Sequence, residues 1–150
     1  MRDLGLGLAL AALVSLASAA SERWTRWGAQ LSDELAGAVG PLSARACVGL
    51  AVASGLAEEA FFRGALQPRV GLVAASLLFG LAHVPIRRSL RPWTAFALVI
   101  GFGLGALFEA TGSLLAPVTF HIAVNTVGLL SLSRQAQSSI SATGARPPPG

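Results

Sequence analysis

Three ionisable side chains, Glu58, Glu59 and Arg63, interrupt the apolar stretch GLAEEAFFRGALQ at residues 55–67. Further along, His83 ends the run FGLAH, and His121 and Asn125 sit four apart in HIAVN. A carboxylate with an imidazole can take a proton from water, and an imidazole with an amide can donate to an oxyanion. Helical spacing sorts the first group. Glu59 and Arg63, four apart, share a face and form an ion pair with the acid in the favoured leading position. Glu58 lies about 100° round the helix from Glu59 and can face elsewhere. One carboxylate is then neutralised while the other is free for chemistry; the alternative is that all three only bridge helices. Phe79 precedes His83 by one turn on the same face, and His121 shares a face with Asn125. Taken alone, His83 reads as an interhelical hydrogen-bonder.

The elements that carry these residues follow from composition. Of 150 residues, 53% are hydrophobic and only 12% charged, against roughly a quarter charged in a soluble domain. Apolar segments cover about 4–20, 46–67, 70–85, 93–110 and 113–132. Each is long enough to span or nearly span a bilayer, the third only just. The fold class expected is all-α: a polytopic membrane helix bundle of about five transmembrane helices plus an interfacial amphipathic helix. Charge at mid-bilayer costs several kcal/mol, so Glu58, Glu59, Arg63, His83, His121 and Asn125 must pair inside the bundle or line a wet cavity. Glu109, near the end of its segment, reaches an interface and stays outside the site.

The remaining segments fill in the organisation. Residues 1–20 form an N-terminal transmembrane helix, retained in preference to a cleaved signal peptide. Arginine distribution supports that choice: Arg23, Arg26, Arg45, Arg87, Arg88, Arg91, Arg134 and Arg146 fall on one side, Arg2 and Arg69 on the other. The positive-inside bias then puts the arginine-rich loops in the cytoplasm of a cell membrane, a bacterial inner membrane on composition. Residues 21–45 place Trp24, Trp27, Leu31 and Leu35 at helical spacing, which fits an interfacial helix or an ordinary polar loop. Pro68 and Pro85 are expected to close the second and third segments. Gly101 and Gly105 stand in GxxxG spacing, for close helix packing. Residues 133–150 read as a disordered tail. Scattered arginines do not resemble a nucleic-acid footprint, and the single Cys47 offers no disulfide.

The three clusters together resemble the CPBP family, the CAAX-prenyl-protease and bacteriocin-processing (Abi) intramembrane endopeptidases. EEAFFR at 58–63 fits EExxxR, FGLAH at 79–83 fits FxxxH, and HIAVN at 121–125 fits HxxxN, in the right order on separate apolar helices. FRGALQP and TGSLLAP at 111–117 agree in context, and residues 46–132 form the matching catalytic core of four helices. The resemblance implies a membrane-bound peptide or protein substrate in a lipid bilayer. It implies catalytic roles for Glu58 as general base with His83, and for His121 and Asn125 at the oxyanion. Glu59 and Arg63 would support the first helix, and Phe79 would pack below His83. The expected mechanism uses water and no cofactor; were zinc bound, Glu58, His83 and His121 would be the ligands on offer. Fuller family members have about eight spanning helices, so an oligomer or partner chain can complete the bundle. A catalytically idle module, such as a bacteriocin-immunity protein, is the competing function.

Overall fold

A computed structural model describes residues 1–144. Its elements are α1 (Arg2–Trp24), α2 (Arg26–Val39), α3 (Ala44–Glu59), a π-helical segment (Ala60–Leu66), α4 (Gln67–Ala82), a 3₁₀ turn (Arg88–Leu90), α5 (Arg91–Thr111) and α6 (Leu115–Thr143). No strand occurs among the described residues. Among the described residues, four continuous stretches are long and apolar enough to cross a membrane: Arg2–Trp24, Ala44–Ala82, Arg88–Thr111 and Leu115–Ala142. The all-α polytopic bundle is therefore the observed architecture.

The second stretch contains two of the five expected segments. Were Ala44–Ala82 straight, Glu58 and His83 would lie roughly 37 Å apart at the usual helical rise. Instead their side chains are 3.5 Å apart. The chain reverses at Gly71, whose φ of 81° and ψ of 165° are non-helical and sit where an L side chain is strained. This corrects the expectation that Pro68 ends the second segment. Pro68 lies in the first turn of α4, directly after the π segment. There the wider π turn relieves the clash a proline ring makes with the carbonyl four residues back in regular α spacing. Pro85 does follow the end of the third segment, since α4 stops at Ala82 with His83 as its cap.

Helix directions follow from the contacts. Glu59 meets His121 and Ser54 meets Asn125, so α3 and α6 are antiparallel. Arg63 bonds the Gly101 carbonyl and Gln67 the Gly105 carbonyl, so the π segment and α5 run parallel. A Cβ on Gly101 would come within 3.0 Å of Phe79 Cδ1, and one on Gly105 within 2.9 Å of Gln67 Oε1. The GxxxG pair thus gives the close approach expected of it, and it bares two backbone carbonyls to side chains of the neighbouring helix. Gly55 packs against Ile122 in the same way, and Gly7 of α1 packs against Ala116 and Phe120 of α6. One apolar cluster joins Ala11, Leu104, Leu107, Ala116 and Phe120, and a second joins Phe62, Phe79 and Ala97. Large aliphatic side chains such as Leu13, Leu16, Leu50, Leu56, Val73 and Leu81 point outward, as a lipid-facing surface requires.

α2 is a helix, capped by Thr25, whose hydroxyl accepts from the Gly28 amide at 3.0 Å. Its buried face is Gly28, Ser32 and Ala36, while Trp24 and Trp27 are exposed. The segment from Ser133 is not disordered as composition implied, because α6 continues to Thr143. Ser133 Oγ accepts from the Leu42 amide at 2.7 Å and donates to the Leu42 carbonyl at 3.0 Å. Gln135 accepts from Ser32 and donates to Asp33. The stretch is polar because it packs on a polar neighbour, and Ser138 and Ser141 bond their own helix carbonyls. The end of the expected tail, with Arg146, lies outside the described residues.

Candidate active site

Glu58, Glu59, Arg63 and His83 stand where a helix ends or changes pitch, whereas His121 and Asn125 lie within a continuous helix. Glu58 and Glu59 close α3 where α spacing gives way to the π segment, and Arg63 lies within that segment. Such π turns recur at functional sites because they re-aim the side chains around them. His83 caps α4, where the hairpin brings it back to α3. His121 and Asn125 occupy successive turns of α6, two turns inside its start.

The ion pair expected from spacing is present. Arg63 donates to Glu59 Oε1 at 3.0 Å, with Glu59 fully buried and Arg63 1% exposed. Three further contacts hold the guanidinium: the Gly101 carbonyl at 2.8 Å and the faces of Phe79, 4.4 Å from its ring centre, and Phe62, at 5.9 Å. The charges are thus matched and desolvated by aromatic rings rather than left facing lipid. Phe79 is therefore packed on Arg63 as well as on the His83 ring, whose centre is 4.5 Å away.

Glu58 points elsewhere, as its position on the helix predicted. Its Oε2 faces His83 Nε2 at 3.5 Å, both side chains being partly exposed, and that oxygen has no hydrogen-bond partner. His83 Nδ1 lies 2.8 Å from the Phe79 carbonyl, which can only accept, so Nδ1 carries the proton. Thr94 Oγ1 donates to the His83 carbonyl, and the Trp93 ring flanks the imidazole. With Nδ1 so engaged, Nε2 is the imidazole nitrogen that faces the Glu58 carboxylate.

On α6, His121 Nδ1 is 2.7 Å from Glu59 Oε1, the oxygen that also accepts from Arg63. Asn125 Nδ2 donates to Ser54 Oγ at 2.9 Å, one turn before Glu58 on α3. The structure thus gathers Glu58 with His83, and Glu59 with Arg63 and His121, around the end of α3. Asn125 stands one turn away beside Ser54. Among the described residues no group of three or more His, Cys, Asp or Glu side chains is arranged to hold a metal ion. His121 engages Glu59 through Nδ1.

Two residues escaped the sequence reading. Ser54 donates to the Ala51 carbonyl of its own helix, as an uncharged serine in an apolar helix ordinarily does, while also accepting from Asn125. Gln67 carries no charge, yet it is buried and donates to the Gly105 carbonyl and to the exposed Glu109. Its position four after Arg63, matching Gly105 four after Gly101, is the signal that could have found it.

Comparison with known proteins places the region that carries these residues in a family. The family model described as type II CAAX prenyl endopeptidase Rce1-like matches residues 41–127, from before α3 into α6. The chain is 35% identical over 134 residues to the uncharacterised protein YpbD of Bacillus subtilis strain 168, covering 85% of this chain and 67% of that one. No solved structure matches. The matched region holds all three polar clusters, in a multi-pass membrane bundle. This chain belongs to the Rce1-like family of type II CAAX prenyl endopeptidases.

Proposed function

We propose that the chain is an intramembrane endopeptidase that cleaves a membrane-associated peptide or protein with water activated by Glu58 and His83. The observation that carries this reading is the pairing of Glu58 Oε2 with His83 Nε2, 3.5 Å apart, the oxygen unpartnered. A water molecule is the small donor that satisfies both acceptors, one proton to each. As its oxygen attacks the scissile carbonyl carbon, one water proton passes to Glu58. The carbonyl oxygen becomes an oxyanion, met by donors on His121 and Asn125. Collapse of the tetrahedral intermediate breaks the C–N bond, and Glu58 returns its proton to the leaving amine. Ser54 holds one N–H of the Asn125 amide and leaves the other free to donate.

The arginine-rich end of the bundle faces the cytoplasm in this reading, on the positive-inside bias. Incubating the purified chain with a prenylated CAAX peptide and with hydrophobic membrane peptides tests the function. Wild type is expected to cut at least one of them, and Glu58→Ala to fold normally and cut none. Wild-type turnover by Glu58→Ala would remove Glu58 as base. Complete loss of cleavage with a chelator, restored by zinc, would overturn the metal-free scheme.

A further inference from the structure

The two arms of the hairpin at Gly71 each carry a buried polar atom that no other group of the protein satisfies. Gln67, four residues before the turn, is 4% exposed, and Ser76, five after it, is 1% exposed. Gln67 Oε1 and Ser76 Oγ have no hydrogen-bond partner in the protein. The amide is fixed in its orientation. Its Nε2 faces two acceptors, the Gly105 carbonyl at 3.0 Å and Glu109 Oε1 at 3.2 Å, so Oε1 is the atom on the other side. We propose that a resident water molecule bridges Gln67 Oε1 and Ser76 Oγ beside Gly105, tying together the arms that bring His83 to Glu58. The site goes beyond the peptidase reading and does not depend on it.

Two observations carry the proposal. The first is that both atoms border one space. A Cβ on Gly105 would come within 2.9 Å of Gln67 Oε1 and 3.4 Å of Ser76 Oγ, with Leu72 Cγ also at 3.4 Å. Glycine leaves that face of α5 bare, and the two oxygens look onto it without bonding each other. The second is chemistry. Gln67 Oε1 can only accept, and burying it without a donor is costly. Ser76 carries a proton as well as lone pairs. A water can therefore donate to Oε1 while its oxygen accepts from Ser76, which gives it the two polar partners a buried water needs. A metal cation would find only these two oxygens, with Leu72 beside them and an N–H group on the same amide. The bridge also lies between groups of the site. Gln67 is four residues after Arg63, and Ser76 is three before Phe79, the ring that packs on both Arg63 and His83.

A crystal structure of the full chain grown in lipid, at a resolution that shows ordered water, reads the site directly. The expected result is an oxygen within hydrogen-bond distance of both Gln67 Oε1 and Ser76 Oγ. A site without that oxygen, whether empty or closed by Ser76 bonding straight to Gln67, overturns the proposal. Hydrogen exchange in lipid nanodiscs reads the tie. Ser76→Ala removes one anchor, and the amides of residues 72–78 are expected to exchange about tenfold faster, the worth of one hydrogen bond. Gln67→Met removes the other anchor and two further bonds, so its acceleration is larger. Adding Ser76→Ala to Gln67→Met is expected to change nothing more, because both anchors act through one molecule. Unchanged exchange in Ser76→Ala, or accelerations that add in the double variant, overturn the bridge. The wild-type structure needs no variant to fold and neither measurement uses cleavage, so failure here is separable from loss of the peptidase reading, which Glu58→Ala tests.

Discussion

At the scale of single residues, adjacent carboxylates have different surroundings and so different expected phenotypes. Glu59 is fully buried on Arg63 and His121, whereas Glu58 is partly exposed with a free oxygen. Removing one partner of a buried pair strands the other charge, at a cost of about 3–5 kcal/mol. Glu59→Ala and Arg63→Ala are accordingly expected to lower the unfolding free energy by that order, measured by denaturation in detergent. Glu58→Ala leaves no such orphan and is expected to unfold as wild type does. Asn125→Ala is expected to lower kcat about 10²–10³-fold, the effect of deleting one oxyanion donor. Ser54→Ala frees the Asn125 amide and should act in the same direction by less; steady-state cleavage of one peptide by both variants measures the difference.

At the scale of elements, the hairpin at Gly71 is what brings His83 to Glu58. The chain there has φ of 81°, and placing a side chain in such a conformation costs about 1–3 kcal/mol. Gly71→Ala is expected to lose stability by that amount and cleavage with it, because opening the turn separates Glu58 from His83. The α5 glycines act through proximity. Gly101→Ala would push on Phe79, which also carries Arg63 and His83, so overpacking of about 1–3 kcal/mol is expected together with reduced turnover. Gly105→Ala meets instead the end of the Gln67 side chain, which can move, and its effect should be smaller. Thermal unfolding of the two variants side by side checks the order.

At the scale of the whole molecule, the helix directions sort the arginines. α2 bonds the turn at Ser89 and the later part of α6, so Arg23, Arg26, Arg45, Arg87, Arg88, Arg91 and Arg134 gather at one end. Arg2 and Arg69 lie at the other, with the Gly71 turn. Single-cysteine variants test this arrangement in intact cells and inverted vesicles. Ser89→Cys and Ser138→Cys are expected to be labelled from the same face, the cytoplasmic one, and Arg69→Cys from the opposite face. The native Cys47 is fully buried and should stay unlabelled. Labelling of Ser89→Cys and Arg69→Cys from one face would contradict the hairpin.

What the sequence by itself determined is whatever a single helix expresses. Hydropathy marked the apolar segments, spacing of four marked the Glu59–Arg63 pair, and the GxxxG repeat marked a close helix contact. These depend on the rise and pitch of one helix, which local residues set. Only the tertiary structure decided that the chain turns at Gly71 and not Pro68, that Ser133 onward is helix, and that His121 bonds Glu59 through Nδ1. Each of those outcomes depends on a partner distant in the chain. Ser133 is polar because Leu42 offers it two backbone groups, and Ser54 matters because Asn125 comes to it from α6. Side-chain type states which bonds a residue can make; only packing between helices states which one it does make.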